Sequence, residues 1–252
     1  MDALSLSVHH LSSDESSQTD FIEGHRKIVR LGNDKLLKYG PSAEIELEAE
    51  NMRYIAANTT IPIPHIHDIG NHNSGIKSIV MDYIDSHTLQ DIWSSMLPSQ
   101  KMFVAEQLRG YVLQLRDLPF PEPIGHQIDP VDIYSLDITR NPERQVRLTE
   151  QPFTRMTTLN IHILQRHASG KRKEKLAFTH GDLAPRNILV NDYGQVTAVL
   201  DWEYAGWYPQ WWESVKAYQF CNDVPDWKAY LSAILPPDHE TEYMAVAFSR
   251  HF

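Results

Sequence analysis

The sequence predicts an α+β architecture in two parts, a small strand-rich first part carrying one helix and a mainly helical second part. Three observations predict it. Lys27–Gly40 alternates in character around Gly32-Asn33-Asp34, a tight-turn sequence between two short strands. "PSQKMFVAEQLRGYVLQLRDLP" has the apolar spacing of a long amphipathic helix. "FTHGDLAPRNILVNDYGQVTAVLDWE" folds back at Asn191-Asp192-Tyr193-Gly194, giving a hairpin with polar residues at both mouths.

Residues 1–20 are dominated by Ser, Asp, Glu, Gln and Thr towards their end and read as a flexible lead-in, with ordered structure from about Phe21. The hairpin then ends at Lys38. From Glu44 to Asn58, Ile45, Ala49, Met52, Ile55 and Ala56 recur at helical spacing; Glu48 falls inside that stripe, whereas Glu46 and Glu50 fall off it. "IPIPHIHDIG" stops the helix, because each proline drives its predecessor towards extended backbone. Strands follow near Ile66 and over Ser78–Tyr83. In the long helix after them, Phe103, Leu108, Val112 and Leu115 are expected to face inward, and Pro119 stops it. Residues 119–150 read as a surface excursion, and "TRMTTLNIHILQRHA" as a further helix.

Composition narrows the function classes. An apolar content of 42% over 252 residues supports a buried core, while no apolar run approaches the roughly 20 residues of a membrane span. The N-terminus has neither a basic start nor a long apolar stretch, so no secretory signal is read and the cytosol is the expected compartment. Cys221 is the sole cysteine, which excludes an internal disulfide. A formal net charge of −10 argues against a nucleic-acid surface, which needs clustered Lys and Arg. Oligomeric state is not legible in the sequence.

Asp182, Asn187 and Asp201 sit around one otherwise apolar hairpin. Phosphoryl transfer gives such residues a reason to be there: it needs a carboxylate near the attacking hydroxyl and oxygen ligands for magnesium. Taken singly, each has an ordinary explanation, since a turn Asp caps or solvates, a strand Lys is surface charge and a helix Glu lies on a wet face. The combination in fixed order is the specific signal.

"HGDLAPRNIL" followed by "LDWE" resembles the aminoglycoside phosphotransferase and choline kinase-like superfamily, in particular its fungal members, over roughly Lys27 to Ala217. That resemblance implies a two-lobed protein kinase-like fold, divided as an N-lobe with hinge over residues 21–84 and a C-lobe over 85–252. It implies ATP and Mg2+ as cofactors and a small-molecule acceptor with a hydroxyl group. By motif position it implies Asp182 as catalytic base, His180 as the brace of the catalytic loop, and Asn187 and Asp201 as magnesium ligands. Lys38 is implied to contact the ATP phosphates, with Glu48 pairing to it; Glu50 is the fallback. Met81 is implied to line the adenine pocket and the backbone of Asp82 to Ile84 to hold the adenine edge. Glu213 falls where the family carries an acid supporting the loop, and the role of Arg186 stays open.

Two departures from the family pattern motivate an alternative, a kinase-like protein that binds a ligand or partner without turnover, against which the intact set of Asp182, Asn187 and Asp201 argues. Gly24 is the only glycine before Gly32, so no glycine-rich phosphate loop precedes the Lys strand, and the region after the catalytic segment is short. HGD in place of HRD, and the lack of DFG and APE, set the chain apart from protein kinases. His65 and His67 alternate on a strand as a ligand pair would, but no third ligand is evident; His162 and His167, five residues apart, lie about 140° apart around a helix. Trp202, Trp207, Trp211 and Trp212 are read as packing rather than a cation cage.

Overall fold

The computed structural model describes residues 21–23, 26–72, 75–119, 176–219 and 224–236. The sequence readings for the lead-in, residues 120–150, the helix at Thr154–Ala168 with its two histidines, and Cys221 lie outside them.

The chain opens with β1 (Phe21–Glu23), β2 (Arg26–Leu31), β3 (Lys35–Pro41), α1 (Ser42–Asn58), β4 (Ile66–His72) and β5 (Ile76–Asp82). These strands form one antiparallel sheet in the order β1-β2-β3-β5-β4. Gly32, at φ 64, supplies the left-handed residue that turns β2 into β3. The β3 strand continues past Lys38 to Pro41, longer than its alternation suggested, because β5 pairs with it from Lys35↔Asp82 to Pro41↔Ile76. The helix α1 begins directly after Pro41 and buries Ile45, Glu48, Ala49, Asn51, Met52 and Ile55. Beyond it, the Pro62 carbonyl accepts from the Val199 N–H at 2.8 Å, and Gln114 Oε1 accepts from the Thr60 N–H at 2.8 Å. The proline-rich exit therefore lies extended against the second lobe rather than in solvent.

The second lobe contains β6 (His87–Thr88), α2 (Leu89–Ile92) and α3 (Pro98–Asp117), then β7 (Leu176–Thr179), β8 (Ile188–Val190), β9 (Val196–Val199) and β10 (Gly206–Pro209), and finally α4 (Trp212–Gln219) and α5 (Trp227–Ile234). β6, β8 and β9 form one small sheet and β7 with β10 another. In α3, Val104, Ala105, Leu108, Val112 and Leu115 are buried, but Phe103 is 43% exposed. Phe103 lies about 140° around the helix from Leu108, off the inward stripe. The buried apolar residues of both lobes form one continuous cluster, from Ile45 and Ile79 to Trp202, Trp207 and Trp227. Trp202, Trp207, Trp211 and Trp212 are all buried, as packing residues should be.

Candidate active site

Lys38 sits mid-strand on β3 with its side chain turned to α1. Its Nζ lies 2.8 Å from both carboxylate oxygens of Glu48 and 2.8 Å from Asp201 Oδ1. Lys38 is 8% exposed and Glu48 is 2% exposed, so the ammonium is largely withdrawn from water between two carboxylates. Glu48 reaches it because it shares the inward stripe of α1 with Ile45 and Met52, three and four residues away. Glu50 is exposed. Met81 pairs with Leu36, two residues along from the Lys38↔Ile79 pair, so Met81 and Lys38 share a sheet face. Asp201 stands at the end of β9 in the left-handed region, φ 64 and ψ 65. That conformation is costly for a non-glycine residue and concentrates at functional sites.

The loop between β7 and β8 carries Asp182 and Asn187. Asp182 Oδ1 and Oδ2 accept from Arg186 Nη2 at 2.6 and 2.7 Å. Asn187 Nδ2 donates to Asp182 Oδ2 at 2.8 Å and to the Asp182 carbonyl at 2.9 Å. With its nitrogen engaged twice, the asparagine keeps its carbonyl oxygen as the group to offer a cation. The Leu200 N–H donates to the Asn187 carbonyl at 2.8 Å, so the β8–β9 pairing brings Asn187 and Asp201 to the same mouth of the hairpin.

His180 is fully buried and braces this loop. Its Nδ1 accepts from the Asp182 N–H at 3.1 Å, which places the ring proton on Nε2, and Nε2 donates to the Leu200 carbonyl at 3.0 Å. Its ring packs on Trp202 at 4.6 Å. Behind it, Glu213 of α4 accepts from the N–H groups of His180 and Gly181 at 2.6 and 3.3 Å. Burial pushes the Glu213 carboxyl up, opposed by His180 and by these N–H groups.

The charges do not balance around Lys38. Carboxylate oxygens of Glu48, Asp201 and Glu203 lie within 4.8 Å of one another. Burial pushes the Glu48 carboxyl up to about 7, against the pull of Lys38 and with the push of Asp201 and Glu203. Burial would lower Lys38, yet Glu48 and Asp201 together hold it above its ordinary value. The carboxyl oxygens of Glu48, Asp201 and Glu203 are hard donors and fit a magnesium ion better than a softer metal. Glu203 was not singled out in the sequence; the signal was its position two residues after Asp201, where the turn Trp202–Tyr204 buries it. Asn51 was missed too.

At the end of β5 the Asp82 and Tyr83 N–H groups donate to the His65 and Asp34 carbonyls, and the Ile84 carbonyl accepts from Ser86 N–H. The Asp82 carboxylate accepts from the His65 N–H at 3.1 Å and contacts His67 Nε2 at 2.7 Å. His65 and His67 do pack together, with ring centroids 5.1 Å apart, but among the described residues the only side-chain cluster with metal-ligand spacing is Glu48, Asp201 and Glu203.

A strand lysine paired to a helix glutamate in one lobe, opposite a loop aspartate and asparagine in the other, defines a protein of the two-lobed, kinase-like class. The profile of the phosphotransferase enzyme family matches residues 7–240, and the chain belongs to that family. The sequence is 25% identical over 238 residues to clavilactone A biosynthesis cluster protein Y of Ampulloclitocybe clavipes, covering 79% of this chain. This chain spans 56% of the length of that relative. Among solved structures, it is similar to the GDP complex of wild-type aminoglycoside 2'-phosphotransferase-IIIa, with a TM-score of 0.60 and 14% identity over 95% of this chain and 83% of that one. A further aminoglycoside phosphotransferase, complexed with GDP and kanamycin, gives a TM-score of 0.62 and 17% identity over 94% of this chain and 84% of that one. Aminoglycoside-3'-phosphotransferase of type VIII gives 0.54 and 17% over 93% and 87%. Among the described residues, no helix is long and apolar enough to cross a membrane.

Proposed function

We propose that this protein transfers the γ-phosphoryl group of ATP to a hydroxyl of a small molecule, across a cleft between an N-lobe of residues 21–84 and a C-lobe of residues 85–252. The observation that carries the reading is Lys38 bridging Glu48 and Asp201 between the lobes. Lys38 meets the nucleotide phosphates, and Glu48 fixes its Nζ there. Met81 lines the base pocket. With the Asp82 and Tyr83 N–H groups and the Ile84 carbonyl engaged within the protein, the Ile84 N–H is, among the described residues, the donor of that segment left for the adenine edge.

Asp182 accepts the proton of the acceptor hydroxyl as that oxygen attacks the γ-phosphorus and the bond to the ADP leaving oxygen breaks. His180 holds the loop at its backbone. Asn187 and Asp201 would hold a magnesium ion, with Glu203 as an additional acid near Asp201, and a bound ion would supply neutralisation of the phosphate charge. The relatives that bind GDP, ADP or kanamycin support a nucleotide and a hydroxyl-bearing small molecule as the two substrates. The similarity to a biosynthesis cluster protein supports a biosynthetic setting beside drug modification.

Titration calorimetry with a non-hydrolysable ATP analogue tests the nucleotide half. Binding tighter than about 1 mM that requires magnesium is expected. Absence of binding up to that concentration overturns the reading in favour of a kinase-like protein that works without nucleotide. Asp182→Asn tests the chemical half: it should keep magnesium-dependent binding and lose transfer.

A further inference from the structure

Arg186 is the charged partner of Asp182 among the described residues, and the family reading gives it no role. Its Nη2 stands astride the carboxylate, 2.6 Å from Oδ1 and 2.7 Å from Oδ2. Local backbone puts it there. Pro185 opens a tight turn, Pro185–Asn187, whose Ala184 N–H donates to the Asp182 carbonyl at 2.8 Å and whose Asn187 N–H donates to the Ala184 carbonyl at 2.9 Å. That turn folds residue 186 back over residue 182. The Asp182 side chain is 8% exposed and that of Arg186 is 40% exposed, so the carboxylate is sheltered while the guanidinium keeps part of its hydration.

The hydrogen bonds distinguish the two oxygens of Asp182. Oδ2 accepts from Arg186 and from Asn187, while among the described residues Oδ1 accepts from Arg186 alone. A carboxylate oxygen has two lone pairs, so Oδ2 is filled and Oδ1 has one accepting position left. We propose that Arg186 is a positioning residue for phosphoryl transfer, holding the Asp182 carboxylate plane so that Oδ1 faces the acceptor hydroxyl. This rests on the reading of Asp182 as the base. A carboxylate free to rotate about its terminal torsion would offer its oxygens in a spread of directions, since that torsion is broad. An arginine four residues on, set by a proline turn, adds a second restraint on that plane beside the Asn187 bond to Oδ2, without closing Oδ1.

The test uses the full chain and magnesium-dependent ATP consumption with water as acceptor. Arg186→Gln should lower kcat about 10- to 100-fold, with the KM for ATP within about twofold of wild type, and Arg186→Lys should recover part of the loss. A raised KM with unchanged kcat would show that Arg186 meets the nucleotide phosphates instead, and unchanged values of both would reduce the contact to a surface ion pair; either result overturns the proposal. A second measurement needs no activity. Thermal midpoints of wild type, Arg186→Gln, Asp182→Asn and the double variant form a cycle, in which the Arg186→Gln shift should shrink in the Asp182→Asn background. Equal shifts in both backgrounds mean that the clamp is absent in solution. A wild-type protein that binds no magnesium-ATP would end the kinase reading, and the thermal cycle would still report on the clamp.

Discussion

The side-chain amide of Asn51, on the buried face of α1, donates to the carbonyl of Trp202 at 2.8 Å and continues to that of Ala205 at 3.0 Å. Trp202 directly follows Asp201, and Glu48 lies on the same helix three residues before Asn51. One buried amide therefore fixes the helix carrying the Lys38 partner to the turn carrying Asp201. Asn51→Ala removes both bonds and leaves the Ala205 carbonyl without this donor in a dry interior. We expect a loss of about 1–3 kcal/mol of unfolding free energy, read from the urea midpoint. Magnesium-dependent nucleotide binding by the same variant should weaken, because Glu48 and Asp201 lose their common register.

Glu48 makes stability depend on pH with a definite sign. Burial raises its carboxyl to about 7 from 4.5. The folded state then holds the proton more tightly than the unfolded chain. The associated stabilisation is fully present below about pH 4.5 and is lost as pH rises through 7. In Glu48→Gln that dependence disappears. Urea midpoints at pH 5.5 and pH 8 should show wild type losing more stability over that interval than the variant; parallel behaviour of the two proteins would mean that Lys38 keeps Glu48 ionised throughout.

Much of this arrangement was legible because it follows from short-range rules. Glu48 was separable from Glu50 by helical periodicity, alongside the resemblance that implied a helix acid pairing with Lys38, and the turn at Gly32 and the β8–β9 hairpin followed from turn residues between apolar runs. Phe103 misled because a run of apolar residues, Met102 to Ala105, crosses the face of a helix, and only packing against β7 and α5 decides which of them are inside. β6 and β10 have two and four residues, too few to establish a period, and exist through partners distant in sequence, β8 and β7. Asn51 was invisible for a related reason. A polar residue on a helix shows its value only when the carbonyls it meets, some 150 residues later, are in place.

Gly181 has φ 79, and a Cβ built on it would stand 2.7 Å from the Tyr204 carbonyl oxygen. Both facts act against any side chain there, since the left-handed backbone penalises a Cβ and the obstacle is main chain, which cannot rotate aside. Gly181→Ala should cost about 2 kcal/mol or more in unfolding free energy. The strain falls between His180 and Asp182, so turnover should fall further than stability explains. Comparing kcat at a temperature where the variant is fully folded separates the two effects.

Glu213 separates the acceptor role of a buried carboxylate from its charge. Its Oε2 takes the N–H groups of His180 and Gly181, while Oε1 is buried with no hydrogen-bond partner among the described residues. Glutamine keeps an acceptor oxygen of the same reach and removes the cost of burying a charge, so Glu213→Gln should leave stability within about 1 kcal/mol of wild type. Glu213→Ala strips both N–H groups of their acceptor and leaves a void beneath the loop, for a loss of about 1–3 kcal/mol. If the acid only anchors the loop backbone, kcat should follow the same order, with the glutamine variant close to wild type and the alanine variant well below it. A glutamine variant as impaired as the alanine one would show instead that the negative charge beneath His180 is what the site requires.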